Sequence, residues 1–270
     1  MKLTTILNEE YTQVTEKIKE EAKIDTVIQE KLLSIFEDVK QEKDIFLLDF
    51  PEGVMDRHVF YDKTLELFTE ELKSVEYSQT DIGSFCFTIP SVEESEQITK
   101  PMCEASIFLS ALINTHYART KTEETYILPL TEIRLNTLCY GILGGNIKII
   151  GDVNHYLCEN MKAGNVEVFG NAKERAGVYM QGGTLHIYGN TGNALGLSNN
   201  SGTIIVEKYA PINVGLYMNF GKITVQGSIG MRAIEIYGGE VWEKDKLIYP
   251  TEMEKEYQKQ KEGKKIKNKK

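Results

Sequence analysis

The sequence lacks the features that would place the chain in a membrane or in the secretory route. Its 270 residues contain no apolar run of the roughly 18 residues that a membrane-spanning helix needs. The first ten residues lack the basic start, apolar centre and small-residue cleavage site of a secretory signal. We therefore expect a cytoplasmic protein with no membrane partner.

Metal-binding and disulfide patterns are also missing. No two of the four cysteines form a C-x-x-C pair, and the histidines have no H-E-x-x-H spacing. These residues are Cys86, Cys103, Cys139, Cys158, His58, His116, His155 and His186. The sequence therefore predicts neither a disulfide scaffold nor a metal site, and buried small side chains are the simplest interpretation of the cysteines.

Negative charge dominates most of the chain. The net charge is -9, but residues 251–270 contain eight lysines and four glutamates, so the first 250 residues carry -13. A body of that charge is repelled by phosphates, which argues against a nucleic-acid partner. We predict that residues 243–270 form a lysine-rich, disordered tail.

Glycines recur at a fixed spacing in the second half of the sequence. They stand every 19 residues, at Gly145, Gly164, Gly183, Gly202 and Gly221. Two and four residues after each glycine stands an aliphatic residue, and the residue between them is mostly polar. This alternation predicts that every unit begins with a β-strand that has one buried face.

Two further sets of glycines lie at the same period. One set is followed by Asp, Asn or Ser and is typical of sharp corners, and the other ends a pair of small or apolar residues. Lys208 and Tyr209 interrupt the first set, so we expect a distorted corner there. The predicted corner glycines are Gly145, Gly151, Gly164, Gly170, Gly177, Gly183, Gly189, Gly196, Gly202, Gly215, Gly221 and Gly227.

A unit of 19 residues made of short strands and corners cannot bury its apolar face alone, whereas stacked units can. The sequence therefore predicts an all-β, right-handed parallel β-helix of about six coils over residues 126–242. A cofactor loop would occur once and would match G-x-G-x-x-G or a P-loop, and no segment does. We therefore predict no cofactor-binding residues.

The glycine pattern resembles a known domain. The stretch GDVNHYLCENMKAGNVEVFGNAKERAGVYMQGGTLHIYGNTGNALG is similar to the GXGXG β-helix domain, which occurs in the glutamate synthase large subunit and in one of the subunits of formylmethanofuran dehydrogenase. The resemblance covers about residues 140 to 240. It implies a scaffold that holds other domains or subunits and itself carries no flavin, iron-sulfur or molybdenum centre. It therefore supplies no catalytic residues for this chain.

Residues 1–125 have a different pattern and predict a mainly helical, α+β region. Apolar residues at three-four spacing predict helices within residues 11–22, 25–44, 60–75 and 96–118, with Asp25 as a cap of the second. Residues 44–51 and 84–90 are interpreted as short strands that end at prolines.

An apolar ladder is expected on the outside of the coils. Strand alternation points Ile150, Phe169 and Tyr188 outward in three successive coils. We favour the interpretation that the N-terminal helices cover this ladder and cap the open end of the β-helix. A face for partner proteins is the alternative.

Candidate catalytic residues are few. Asp56, Arg57 and His58 adjoin in sequence, and Cys86, Cys103 and His116 could meet in space, but no base and orienting group stand at a readable spacing. Cys139 and Cys158 occupy one column of adjacent coils, within disulfide range. In a reducing compartment we expect them to be a ladder of small residues.

These observations favour a non-catalytic scaffold or assembly protein that binds protein partners or itself, with no small-molecule substrate evident. The alternative is an accessory subunit of a glutamate-synthase-like or formylmethanofuran-dehydrogenase-like oxidoreductase. A carbohydrate enzyme would need acidic residues along an outer face. The outward column of Lys148, Glu167, His186, Ile205 and Thr224 has no such cluster. Whether the protein is an enzyme stays open, and the sequence favours a chain without an active site.

Overall fold

The computed structural model describes residues 26–41, 54–89, 104–121, 124–130, 134–252 and 254–255, together with residues 13, 16 and 17. Within these ranges, helices come first and strands follow. The helices are α1 (Thr26–Gln41), α2 (Val54–Leu72), α3 (Gln79–Thr88) and α4 (Glu104–Thr120).

The predicted helical periodicity is confirmed for three of these helices. Helix α1 buries Leu32, Phe36 and Val39, which recur at three-four spacing, and α2 buries Phe68 and Leu72 in the same way. Helix α4 is buried along most of its length, from Ala105 to His116. All three pack into one apolar cluster that continues into the first coils of the sheet region.

The prediction of a strand at residues 84–90 is wrong. Residues Gln79–Thr88 form α3, which begins with a capping box in which the Ser78 hydroxyl accepts from Asp81 N and the Asp81 carboxylate accepts from Ser78 N. Helix α3 is buried over Ile82–Cys86. The cap and the packing of this apolar segment override the strand preference of its aromatic residues. The helix predicted at residues 11–22, the cap at Asp25, the strand at 44–51 and residues 96–103 of the last helix lie largely or wholly outside the described residues.

Parallel strands form the second half of the chain, as the repeat predicts. The strands are β1 (Thr125–Pro129), β2 (Asn146–Ile150), β3 (Asn165–Phe169), β4 (Thr184–Ile187), β5 (Thr203–Val206), β6 (Tyr209–Val214), β7 (Lys222–Val225), β8 (Ser228–Arg232), β9 (Glu240–Glu243) and β10 (Lys246–Tyr249). Eight of them form one sheet in the order β1-β2-β3-β4-β5-β7-β9-β10, and β6 and β8 form a second sheet.

The register of the large sheet confirms the 19-residue period. Asn146 pairs with Asn165, Asn165 with Thr184, and Thr203 with Lys222. We number the coils 1 to 6 by their first strands, β1, β2, β3, β4, β5 and β7. The chain is a parallel β-solenoid of about six turns, preceded by a helical region. Inward positions of the strands, such as Val166, Leu185 and Ile204, are fully buried and fill its interior.

The last coils depart from the regular pattern. Where Lys208 and Tyr209 interrupt the glycine column, the chain enters β6, which pairs in parallel with β8 of the next coil. Strand β10 pairs antiparallel with β9 and ends the large sheet. It lies inside the range 243–270 for which the sequence predicts disorder, so residues up to 249 belong to the sheet. Residues beyond 255 lie outside the described part.

A third side of each coil is formed by turns with an unusual backbone. In coils 1 to 5, three alternate residues have positive φ, as at Tyr156 (63°), Cys158 (57°) and Asn160 (58°) in coil 2. Their amides donate alternately to the next and the previous coil: Tyr156 N to Glu174 O, Cys158 N to Leu138 O, and Asn160 N to Val178 O. The turns therefore stack with their backbone groups satisfied, as buried backbone requires. We call this side the turn face.

Candidate functional site

The twelve predicted corner glycines lie at two kinds of position. Eight have positive φ, namely Gly145, Gly151, Gly164, Gly177, Gly183, Gly196, Gly215 and Gly221. The other four, Gly170, Gly189, Gly202 and Gly227, lie where adjacent coils approach closely. At Gly170, for example, a Cβ atom would clash with the carbonyl oxygen of Gly151. These glycines shape the coil and contribute no reactive group.

The predicted ladder is present as a stacked column. Ile150 pairs with Phe169 in the register of β2 and β3, and the rings of Phe169 and Tyr188 stack with centroids 4.6 Å apart. Ile150 is buried, whereas Phe169 and Tyr188 are half-buried. Tyr188 Oη also donates to Glu167 Oε1 at 3.0 Å, so this column is partly polar.

The helices contact the solenoid mainly at coils 1 and 2. Tyr140 Oη donates to Asp62 Oδ1 at 2.9 Å, and Asn114 Nδ2 donates to Gly141 O at 3.2 Å. Burial, with the Asp62 carboxylate as a second cause, raises the pKa of Tyr140. The helical region therefore covers the first end of the solenoid and is joined to it by specific hydrogen bonds.

His58 contributes to the same junction. Its Nε2 lies 3.5 Å from Oε1 of the fully buried Glu159, and its ring meets Tyr179 edge-on at 5.0 Å. The side chains of Asp56 and Arg57, its predicted companions, lie outside the described residues. The His58–Glu159 contact joins α2 to the second coil and lies at a packed interface.

The second predicted group, Cys86, Cys103 and His116, is divided among different surroundings. Cys86 is buried in α3, where its thiol contacts Ile82 O, and burial raises its pKa. His116 Nδ1 lies 3.2 Å from Tyr126 Oη, and Cys103 lies outside the described residues. Of the two described members, Cys86 and His116, neither has the other as its hydrogen-bond partner.

Cys139 and Cys158 are buried free thiols at equivalent turn positions of coils 1 and 2. Burial, reinforced by contact with Cys139, raises the pKa of Cys158. At the same position coils 3 to 5 have glycines, and all five residues have positive φ. The two cysteines therefore occupy a column of small residues, as the sequence predicts.

A groove of about 480 Å³ runs along the turn face across the coils. We call it the turn-face groove, and its lining residues include Asn136, His155, Tyr156, Glu174, Arg175, Asn193, Ala194, Leu197, Asn213 and Leu216. The 19-residue period places Asn136, His155, Glu174 and Asn193 in one column. Tyr156, Arg175, Ala194 and Asn213 form the column beside it.

Two polar pairs lie side by side in this groove. His155 Nδ1 is 3.0 Å from Glu174 Oε2, and Arg175 Nη1 donates to Tyr156 Oη while its guanidinium lies 5.3 Å from the centre of the Tyr156 ring. Burial lowers the pKa of His155 despite the opposing effect of Glu174. Such a set can donate and accept hydrogen bonds in several directions.

Exposed apolar side chains are concentrated in coils 5 and 6. Of the ten large apolar side chains that are exposed among the described residues, seven lie in this short stretch. We call these seven the C-terminal apolar surface: Tyr209, Ile212, Tyr217, Phe220, Met231, Ile234 and Tyr237. Ile212 pairs with Met231 between β6 and β8, and the rings of Tyr217 and Tyr237 stack at 5.8 Å.

Sequence analysis missed both the turn-face groove and the C-terminal apolar surface. The 19-residue period aligns Asn136, His155, Glu174 and Asn193 in the sequence. The groove was missed because the period does not show that the turns form a concave face. The surface had a signal, since Tyr209 and Ile212 stand at repeat positions where the previous coil has Asn190 and Asn193.

Within the described ranges no helix is both long and apolar enough to cross a membrane. The same residues contain no group of three or more His, Cys, Asp or Glu side chains that could hold a metal ion. Comparisons of the chain with family models, with curated proteins and with solved structures found no match.

Proposed function

We propose that the protein is a non-catalytic scaffold that self-associates through its C-terminal apolar surface. The observation that carries this proposal is the concentration of exposed apolar side chains in the last two coils, where Ile234 is 90% and Phe220 is 69% exposed. Large exposed apolar patches on soluble proteins mark interaction sites more often than single apolar residues do.

A second copy of the chain is the occupant that fits this surface best. The surroundings of the surface carry both signs of charge, including the Arg232–Glu254 ion pair, whose nitrogen and oxygen lie 3.0 Å apart. A surface of mixed charge around an apolar centre can face its own copy without net repulsion. Two-fold association buries both copies of the patch at once and leaves none exposed.

The C-terminal segment of the chain is a poor occupant for the same surface. Residues 256–270 follow directly after this end of the protein, but they contain seven lysines and only two large apolar residues, Tyr257 and Ile266. Burying such a segment would cost the desolvation of its charges. In the dimer, the half-buried rings of Phe169 and Tyr188 stay outside the interface.

The proposal is tested by the mass of the protein in solution. We expect sedimentation equilibrium to give twice the chain mass of 30.6 kDa for the full chain. The double variant Phe220→Asp/Ile234→Asp should be monomeric and equally stable, because both side chains are exposed. Val27→Asp/Val59→Asp is the matched control, since those side chains are 70% and 68% exposed on α1 and α2.

Three results would contradict the proposal. A wild-type chain that is monomeric at all concentrations would show that no dimer forms. Co-purification with a different protein, bound to this surface in stoichiometric amount, would show that the surface serves another partner. Loss of the dimer in the control variant but not in the Phe220 and Ile234 variant would place the interface on the helices.

We also propose the finer features that the sequence suggests. The coil is right-handed, because connections between parallel strands of one sheet almost always have that hand. The protein acts in the cytoplasm, and the adjacent free thiols of Cys139 and Cys158 support a reducing compartment. Its relationship to the GXGXG domains rests on the glycine pattern alone.

The accessory-subunit role in an oxidoreductase complex is the second candidate. The half-buried stacked rings of Phe169 and Tyr188 favour it, because they form an aromatic column on the side of the solenoid that a larger partner protein could cover. Affinity purification from the native cells separates the two candidates. A stoichiometric partner with flavin or iron-sulfur absorbance favours the accessory role, and a colourless homodimer favours the scaffold.

A further inference from the structure

We propose that the turn-face groove binds an uncharged polyhydroxyl ligand, such as an oligosaccharide. Its volume of about 480 Å³ lies within the range of about 300 to 1,000 Å³ that small-molecule sites occupy. This inference extends beyond the scaffold role and does not rest on it, because the residues that line the groove belong to coils 1 to 5 of a single chain.

The groove combines planar hydrogen-bonding groups with an apolar wall. The amides of Asn136, Asn193 and Asn213 add donors and acceptors to those of His155 and Glu174. Ala194, Leu197 and Leu216 line the other part of the groove. A sugar ring has the complementary surface, because its hydroxyls project around the edge while its C–H groups form an apolar face.

Charge argues for a neutral ligand. The groove has one carboxylate, Glu174, and one guanidinium, Arg175, which cancel each other. Burial lowers the pKa of His155, which favours its neutral form near neutral pH. With no net charge, the groove has no electrostatic preference for a phosphate or for a cation, whereas hydroxyl groups can bond to both charged side chains.

The backbone shows that Tyr156 and Arg175 are not required by the fold. Both occupy a turn position with positive φ, 63° for Tyr156 and 61° for Arg175. Glycine and asparagine adopt this conformation more readily than tyrosine or arginine do. Coil 5 has Asn213 at the equivalent position, with a φ of 58°. Thr137 and Ala194 share this conformation in coils 1 and 4, so the fold sets the backbone there and leaves the residue type free. Tyr156 and Arg175 are candidates for ligand contacts because they line the groove.

The experiment uses the full chain on a printed array of plant, bacterial and animal glycans, followed by calorimetric titration with the oligosaccharide bound best. We expect binding to be weakened at least about tenfold by Glu174→Ala and by Arg175→Asn, since each removes a charged hydrogen-bonding group. Arg175→Asn should keep or raise the melting temperature, because asparagine tolerates the positive φ. A loss of binding in this variant would thus not reflect unfolding.

Glu207→Ala is the matched control. His186 Nε2 and Glu207 Oε1 lie 2.7 Å apart and form a second His–Glu pair, which joins coils 4 and 5 away from the groove. We expect this variant to bind as tightly as the wild type. Absence of any bound glycan overturns the proposal. So does binding that survives both groove substitutions, or binding that the Glu207 variant loses to the same extent.

Discussion

Apolar contacts stabilise both the helical region and the solenoid, but they are arranged differently in the two regions. In the helical region each of α1, α2, α3 and α4 contributes one phenylalanine to a single cluster: Phe36, Phe68, Phe85 and Phe108. In the solenoid the contacts repeat, and each coil places its apolar residues on those of the coil below. The stability of the helical region thus depends on one cluster of side chains, and the stability of the solenoid depends on a constant distance between coils.

This difference predicts different sensitivities. A cluster formed by four separate segments is weakened most by loss of side-chain volume. A stack of coils about 4.8 Å apart leaves little room between neighbouring backbones, so it is weakened most by added atoms. The three predictions that follow test this contrast, first in the solenoid, then in the helices, and last at the boundary between them.

The largest effect is expected for Gly170→Val in the solenoid. A Cβ atom at this position would overlap the carbonyl oxygen of Gly151 and lie 2.9 Å from Asp152 N. Backbone cannot move aside without breaking hydrogen bonds between the coils. We expect the free energy of unfolding to fall by about 4 kcal/mol or more, measured by chemical denaturation.

Gly141→Asn separates the effect of added side-chain atoms on stability from the effect of a positive φ. Gly141 has a φ of 59°, and the atom nearest to an added Cβ would be Leu65 Cδ2, at 3.5 Å. Asn160 occupies the equivalent position of the next coil with a φ of 58°. This variant should therefore lose no more than about 1 kcal/mol. Equal losses in both variants would show that close coil approach is not what selects glycine.

Phe108→Ala should have the next largest effect, confined to the helices. Phe108 is fully buried, and its ring lies 4.9 Å from that of Phe68 and 5.0 Å from that of Phe85. Removal of a buried phenylalanine side chain costs about 3 to 5 kcal/mol. Because coils of a solenoid are stabilised mainly by their neighbours, coils 4 to 6 should stay folded.

Hydrogen exchange measured by mass spectrometry checks the second prediction. Amides of α1 to α4 should exchange faster in Phe108→Ala, while those of β4, β5 and β7 should keep their protection. Val59→Ala removes an apolar side chain from a position of α2 that is 68% exposed and should change neither region. Faster exchange throughout the chain would mean that the two regions unfold as one unit.

The contrast also explains how much of the structure could be predicted from the sequence. The solenoid was predictable because its period is local and is repeated, so that each coil confirms the spacing of the others. The positions of the strands, the distorted corner at Lys208 and the column of Cys139 and Cys158 all follow from it. Helix α3 has only one local signal, the capping box of Ser78 and Asp81, and its aromatic residues favour a strand, so its prediction also needs packing partners that are distant in sequence.

The candidate sites were harder to predict than the fold. Positive φ at Tyr156 and Arg175 has no signature in the residue types, since neither tyrosine nor arginine is typical of that conformation. Without it, the turn face cannot be distinguished from an ordinary loop. The seven residues of the C-terminal apolar surface are ordinary one by one, and the structure shows two contacts among them, the pairing of Ile212 with Met231 and the stacking of Tyr217 on Tyr237.

The smallest effect is expected at the boundary between the two regions, where His116 of α4 meets Tyr126 of β1. Burial lowers the pKa of His116 from its usual 6.5, although the nearby Glu124 acts in the opposite direction. The unfolded chain therefore binds more protons than the folded one at pH values between the two pKa values. The free energy of unfolding should accordingly fall as the pH decreases through 6.5, and the loss should level off below the folded-state pKa.

The variant His116→Gln isolates this contribution, because glutamine can still bond to the Tyr126 hydroxyl but does not titrate. Thermal unfolding above and below pH 6.5 should show a larger loss for the wild type than for the variant. Other groups, including His155, titrate equally in both proteins and cancel in this comparison. Parallel pH profiles would mean that His116 is protonated as easily in the folded chain as in the unfolded one. In that case, the junction between the helices and the first coil would be open to water.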